Sequence, residues 1–205
     1  MRDDDVLLVV DVQRDFLPGG ALAVPDGDAV VAPINALAER FGHVVLTQDW
    51  HPAGHVSFAS SHPGRAAFET VQLGYGAQVL WPEHCVQGTA GAALAEGLCV
   101  PRAEMVIRKG FYQGVDSYSA FVEADRTTKT GLAGYLRERG LGRITVVGLA
   151  TDFCVAWTAL DAKAAGFEVF VVEDACRGID VDGSLARAWS DMECAGVVRI
   201  AAQRM

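Results

Sequence analysis

Five stretches of this chain are nearly unbroken apolar runs rich in β-branched residues, and they limit the fold more than any other feature. They are VLLVVDV (6–12), HVVLTQ (43–48), EMVIRK (104–109), RITVVG (143–148) and EVFVVED (168–174). A strand with one wet face alternates apolar and polar residues, whereas a run without alternation reads as a strand buried on both faces. A weaker sixth candidate, GVVRIA, spans 196–201. Helical patterns lie between the runs. Val30, Ile34, Leu37 and Phe41 share one apolar face, with Pro33 placing the regular helix start near itself. KTGLAGYLRERG ends on Gly140 and DGSLARAWSDMECAG on Gly196. DFCVAWTALDAKAAG has Thr151 or Asp152 as its cap and Gly166 as its stop. Strands alternating with helices predict an α/β fold, a three-layer α/β/α sandwich with a mostly parallel central sheet.

A length of 205 residues fits one domain with a large core, so residues 1–205 are expected to form a single unit. One region breaks the pattern. Residues 49 to about 90 hold Gly, Pro, His and aromatics with little periodicity, an irregular segment of the kind that covers active sites. Lys plus Arg is 17 against 26 Asp plus Glu, a formal charge of −9. Such an acidic chain is a poor partner for nucleic acid or an anionic membrane. No apolar run approaches the length of a membrane span, and MRDDDVLL lacks the shape of a signal peptide, so a cytoplasmic protein is expected. The five cysteines are odd in number and irregular in spacing, which is not a disulfide framework. Cys85, Cys99, Cys176 and Cys194 read as small core residues.

In open α/β sheets ligands bind beyond the carboxyl ends of the strands. Those ends deliver Asp11, Asp49, Lys109 and, through GLATDFCV, Ala150 and Cys154. Asp11 and Lys109 make a natural buried pair, since neither charge is tolerated alone in apolar company. Cys154 falls in the first turn of a helix, where free N–H groups and the dipole favour a thiolate, more so beside a lysine. The competing reading is a core cysteine. Asp49 and His51 are two apart and point to the same side of an extended chain. With His84 across the loop and Trp50 and Trp81 alongside, they form a candidate site for zinc, iron or manganese. His43 and His62 read as solvated.

Seven segments then fall into one pattern: VVDVQRDFLPGGALAV, TQDWHPAGHVSFA, LWPEHCVQGT, IRKGF, DSYSAF, VVGLATDFCV and EDACRGI. Together they resemble the nicotinamidases of the isochorismatase-like cysteine hydrolase superfamily, from residue 6 to about residue 200. The resemblance implies the Rossmann-like isochorismatase-hydrolase fold and a triad of Asp11, Lys109 and Cys154. It implies one divalent metal ion, zinc before iron or manganese, held by Asp49, His51 and His84 with waters completing the shell. His55 is either a fourth ligand or a residue behind the ligands. The backbone N–H groups of Ala150 and Cys154 would form an oxyanion hole, with a cis peptide before Ala150. Phe16, Trp81, Tyr118 and Ala150 would line the substrate ring.

The activity so implied is hydrolysis of nicotinamide to nicotinate and ammonia through a thioester, as in NAD salvage, with pyrazinamide as a further substrate. Another amidase of the superfamily, acting on a carbamoyl or ureido substrate, is the alternative. A metal-binding or scaffold protein without catalysis is a third class, against which Asp11, Lys109 and Cys154 all speak. Homo-oligomerisation is left open by the sequence.

Overall fold

The structure is a computed structural model and describes residues 2–205. In chain order its elements are β1 (Asp5–Val10), α1 (Val31–Ala38), β2 (His43–Asp49), β3 (Thr70–Leu73), β4 (Gly76–Val79) and β5 (Ala103–Lys109). There follow α2 (Leu132–Glu138), β6 (Arg143–Leu149), α3 (Ala156–Ala164), β7 (Glu168–Arg177), α4 (Ser184–Cys194) and β8 (Val198–Ile200). Six strands form one sheet in the order β5-β2-β1-β6-β7-β8, every neighbouring pair parallel.

All six residues of β1 are buried, as its unbroken apolar run requires. Alternate residues serve alternate layers. Val6, Leu8 and Val10 join Ile144 and Val146 against Leu132 and Leu136 of α2, the alanines of α3 and Met192 of α4. Leu7 and Val9 join Val147 and Leu149 against Ile34 and Leu37 of α1. This second layer has one helix only; irregular chain contributing Phe16, Leu22, Val24 and Ala95 completes it. The run assigned to β5 differs from expectation. Its burial alternates and Val106 is 46% exposed, because β5 is an edge strand with one open face.

From β1 the chain moves outward through β2 to β5, then returns to the other flank of β1 as β6. The strand order therefore reverses between β1 and β6, and a crevice opens above their carboxyl ends. The backbones approach closely there. Gly148 pairs with Val10 at φ +116°, and a Cβ on it would lie 2.1 Å from the Val10 carbonyl oxygen.

The segment 49–90 is not structureless. It carries the antiparallel hairpin β3–β4, closed by the two residues Gly74 and Tyr75. A Gly-X pair between short strands is a hairpin signal that a search for long periodic runs passes over. The expected cap of α3 also differs. Neither Thr151 nor Asp152 caps it; Thr151–Val155 wind as one π turn leading into α3. The Asp152 carboxylate turns away to accept hydrogen bonds from the N–H groups of Ile179 (3.0 Å) and Asp180 (2.8 Å). Asp152 thus ties the start of α3 to the approach to α4.

Replacing Gly148 by Ala should destabilise the protein by about 3 kcal/mol, combining overpacking with a positive φ. That corresponds to a melting temperature lower by roughly 6–12 °C. Gly134→Ala, on the exposed face of α2 with open space around it, should instead stabilise by about 0.5–1 kcal/mol. Differential scanning calorimetry checks both, and a Gly148→Ala protein melting within 2 °C of wild type would contradict the packing described.

Candidate active site

Four chain segments bring charged or nucleophilic side chains to the β1–β6 crevice. Asp49 and Lys109 are the last residues of β2 and β5 and face each other in register. Asp11 lies one residue beyond β1 with φ +46°, a left-handed conformation that Asp tolerates better than most residues. Thr47, on the neighbouring strand, holds it there. The Thr47 hydroxyl accepts from the Asp11 N–H (3.1 Å) and donates to Asp11 Oδ1 (2.5 Å). Gln13 does the same for Asp49, accepting from its N–H and donating to its carbonyl, both at 2.8 Å. Cys154 sits in the π turn after β6, and the peptide bond between Leu149 and Ala150 is cis.

Lys109 joins these segments. Its Nζ lies 2.8 Å from Asp11 Oδ2, 2.9 Å from Asp49 Oδ1, 3.0 Å from the Ser117 carbonyl oxygen and 3.3 Å from Cys154 Sγ. Its side chain has no exposure to solvent. Burial opposes the ammonium, but Asp11 and Asp49 overcome it and hold the Lys109 pKa well above its ordinary value. Burial likewise opposes the Asp49 carboxylate, and His51 and Lys109 bring its pKa well below the usual range. Asp11 goes the other way. Burial raises its pKa, Lys109 lowers it only in part, and the Asp49 charge adds to the rise.

At Cys154 burial works against the helix start and the lysine. Burial pushes its thiol well above the ordinary cysteine value; Lys109 opposes this, while Asp11 and Asp49 reinforce it. A helix start beside a lysine would favour thiolate if the lysine's charge were unspent. Here two carboxylates already use it. The surroundings thus favour the thiol form, whose ionisation is helped by a proton acceptor at hand. The Asp11 carboxyl is beside it, since Asp11 Oδ2 and Cys154 Sγ both contact Lys109 Nζ.

Beside the lysine, Asp49 Oδ2 lies 3.0 Å from His51 Nε2 and 3.4 Å from His84 Nε2. His51 Nδ1 donates to the Gly110 carbonyl and His84 Nδ1 to that of Pro82, both at 2.8 Å. With Nδ1 engaged in this way, each Nε2 is left to offer its lone pair to a cation shared with the Asp49 carboxylate. Three lone-pair donors converging in a buried space fit a divalent cation. Gly110 allows the approach: at φ +64°, a Cβ on it would lie 2.5 Å from the His51 ring. His55 stacks on His51 with ring centroids 4.2 Å apart. Its Nε2 donates to Val115 O (3.1 Å) and its Nδ1 meets Ser57 Oγ (2.7 Å). Both of its nitrogens have hydrogen-bond partners.

A narrow cleft opens over Cys154 and the imidazoles. Phe16, Trp81, Tyr118 and Ala150 line it, as do Leu22, Asp116, Phe153 and Ile179, which sequence reasoning did not single out. Trp81 and Phe153 meet edge to face at 4.8 Å, and the Trp81 Nε1–H donates to the Tyr118 hydroxyl at 2.9 Å. The remaining candidates lie elsewhere. Cys85 and Cys176 are buried as expected, but Cys99 and Cys194 are exposed. His43 and His62 are half-buried rather than solvated, the first paired with Glu104 and the second bonded to the Val56 carbonyl. No helix among the described residues is long and apolar enough to cross a membrane.

The model of the Isochorismatase domain matches residues 5–203. The nicotinamidase of Acinetobacter baylyi is 56% identical over 199 residues, 97% of this chain and 93% of that protein. That of Escherichia coli is 45% identical, over 93% and 91% respectively. A solved Acinetobacter baumanii nicotinamidase/pyrazinamidase superposes with TM-score 0.99 at 58% identity, covering 100% of this chain and 99% of the other. A pyrazinamidase of Pyrococcus horikoshii in complex with zinc superposes with TM-score 0.79 at 36% identity, over 97% and 99%. Sequence and three-dimensional likeness agree over nearly the full chain, and the protein belongs to the isochorismatase hydrolase family, among its nicotinamidases.

Proposed function

We propose that the chain hydrolyses nicotinamide, and pyrazinamide with it, to the free acid and ammonia through a thioester on Cys154. One observation carries the reading: a single buried ammonium nitrogen touches Asp11, Asp49 and Cys154 at once, beneath an aromatic cleft. The names of the relatives support the substrate class.

The Cys154 thiol yields its proton to Asp11 as sulfur attacks the amide carbon. The raised basicity of Asp11 suits it to accept that proton and return it to departing ammonia. Lys109 stays charged throughout and steadies both the carboxylate and the sulfur anion. The Phe153 and Val155 N–H groups both donate to the Ala150 carbonyl. The N–H groups of Ala150 and Cys154 are assigned to the oxyanion, where losing one donor typically costs about 100-fold or more in rate. Water then cleaves the thioester with Asp11 again as base. Phe16, Trp81 and Tyr118 exclude solvent and hold the ring flat. Asp49, His51 and His84 would hold a divalent ion, zinc first, which when bound offers a Lewis-acidic position for the ring nitrogen. The five unpaired cysteines suit a reducing compartment, and we place the enzyme in the cytoplasm.

Ammonia release from nicotinamide should fall by at least about 10³-fold in Cys154→Ala with the fold intact by circular dichroism. Unchanged turnover in that variant would overturn the thioester route. Dialysis against a chelator should abolish turnover and added zinc restore it; full activity in the demetallated protein would remove the cation from the account. Release from ureido compounds with none from nicotinamide would favour the alternative amidase. For pH, Asp11 must be ionised in the free enzyme, and its pKa lies above the ordinary value. The logarithm of kcat/KM should therefore rise with pH through an acid limb centred above about pH 4, a limb that Asp11→Asn loses along with most of its activity.

A further inference from the structure

Asp116 is used by none of the steps above, yet it is a 2% exposed carboxylate in the wall of the cleft. It stands on the loop between β5 and α2, held from two sides. Oδ1 accepts from the Ser117 N–H at 2.8 Å and Oδ2 from Gln78 Nε2 at 2.6 Å. Gln78 is itself fixed, donating to the Val79 carbonyl and the Tyr118 hydroxyl and accepting from Tyr75. Asp116 therefore has a set position and only neutral donors; among the described residues no lysine or arginine pairs with it. Lys109, which compensates Asp11 and Asp49, does not reach it. A buried carboxylate without a cation is costly.

The groups nearest to it supply the answer. Ligand-capable atoms of Asp116, His51 and His55 all lie within 4.8 Å of one another. His51 is also a member of the Asp49–His51–His84 set. Asp116 thus faces the same space as those three donors, from the cleft side. Asp49 and Asp116 both line this cleft and Lys109 pairs with only the first, so a divalent ion here would offset the second charge.

We propose that Asp116 is a positioning residue of the cation centre. It accepts hydrogen bonds from water on an ion held by Asp49, His51 and His84, and supplies the charge that completes the ion's neutralisation. This rests on the reading that those three residues hold a divalent ion. Outer partners of this kind typically set metal affinity by about 10–100-fold.

The test uses the full-length protein stripped of metal, titrated with cobalt(II) and followed by visible absorption with a competing chelator. Asp116→Asn should bind cobalt about 10–100-fold more weakly than wild type. Without metal, the variant should melt within about 2 °C of metal-free wild type or above it, because the substitution relieves repulsion among carboxylates. The rise in melting temperature on adding cobalt should be smaller in the variant. Equal cobalt affinity in the two proteins overturns the proposal and leaves the ion site standing. A metal-free Asp116→Asn that melts well below wild type also overturns it, by making Asp116 a structural residue. Failure of wild type to bind cobalt at all overturns the underlying ion site instead.

Discussion

One ammonium group with no access to water organises this crevice. Lys109 is fully buried, and such a charge is stable only if opposite charges surround it closely. Asp11 and Asp49 do so from neighbouring strand ends at 2.8 and 2.9 Å, and the Ser117 carbonyl occupies a third donor. The parallel sheet makes this possible. It places the ends of β1, β2 and β5 side by side, and the reversal of strand order at β1 and β6 opens room for the sulfur. Thr47 and Gln13 then fix the two carboxylates through backbone and side-chain hydrogen bonds.

The same neutralisation governs the chemistry proposed. A free lysine would pull the nearby thiol towards thiolate. This one is already matched, so burial raises the proton affinity of the sulfur and of Asp11 alike. A more basic Asp11 is the better placed to take the proton when sulfur attacks and to return it to the leaving group. Asp49 serves both halves of the site, one oxygen to the lysine and the other to the imidazoles. The nucleophile and the candidate cation centre are thus coupled through a single carboxylate.

Much of this was legible in the sequence, for identifiable reasons. Buried parallel strands write unbroken apolar runs, and their last residues name Asp49 and Lys109 directly. Asp49-x-His51 is visible because two residues along an extended chain share a side. What escaped was set by contacts far apart in the chain. Asp116 looks like an ordinary loop acid until Gln78 and His51 are placed beside it. Asp152 resembles a helix cap, but its partners Ile179 and Asp180 come from the approach to α4. Gln13 gave no pattern at all, since its work is done on the backbone of a neighbouring strand. The burial that raises the Cys154 pKa was not legible either, because local rules for a helix start omit the two carboxylates around the lysine.

The central claim is that the Lys109 charge exists only by virtue of its carboxylates. A double-mutant cycle on the metal-free protein, with Lys109→Met and Asp11→Asn alone and together, measures this through urea unfolding. Lys109→Met strands the Asp11 and Asp49 charges and should lose about 3–5 kcal/mol, whereas Asp11→Asn leaves the lysine its Asp49 partner and should lose less. The double variant should lose less than the sum, giving a coupling energy above about 1 kcal/mol. Losses that add to within about 0.5 kcal/mol would show that the two groups act independently, and would contradict the account.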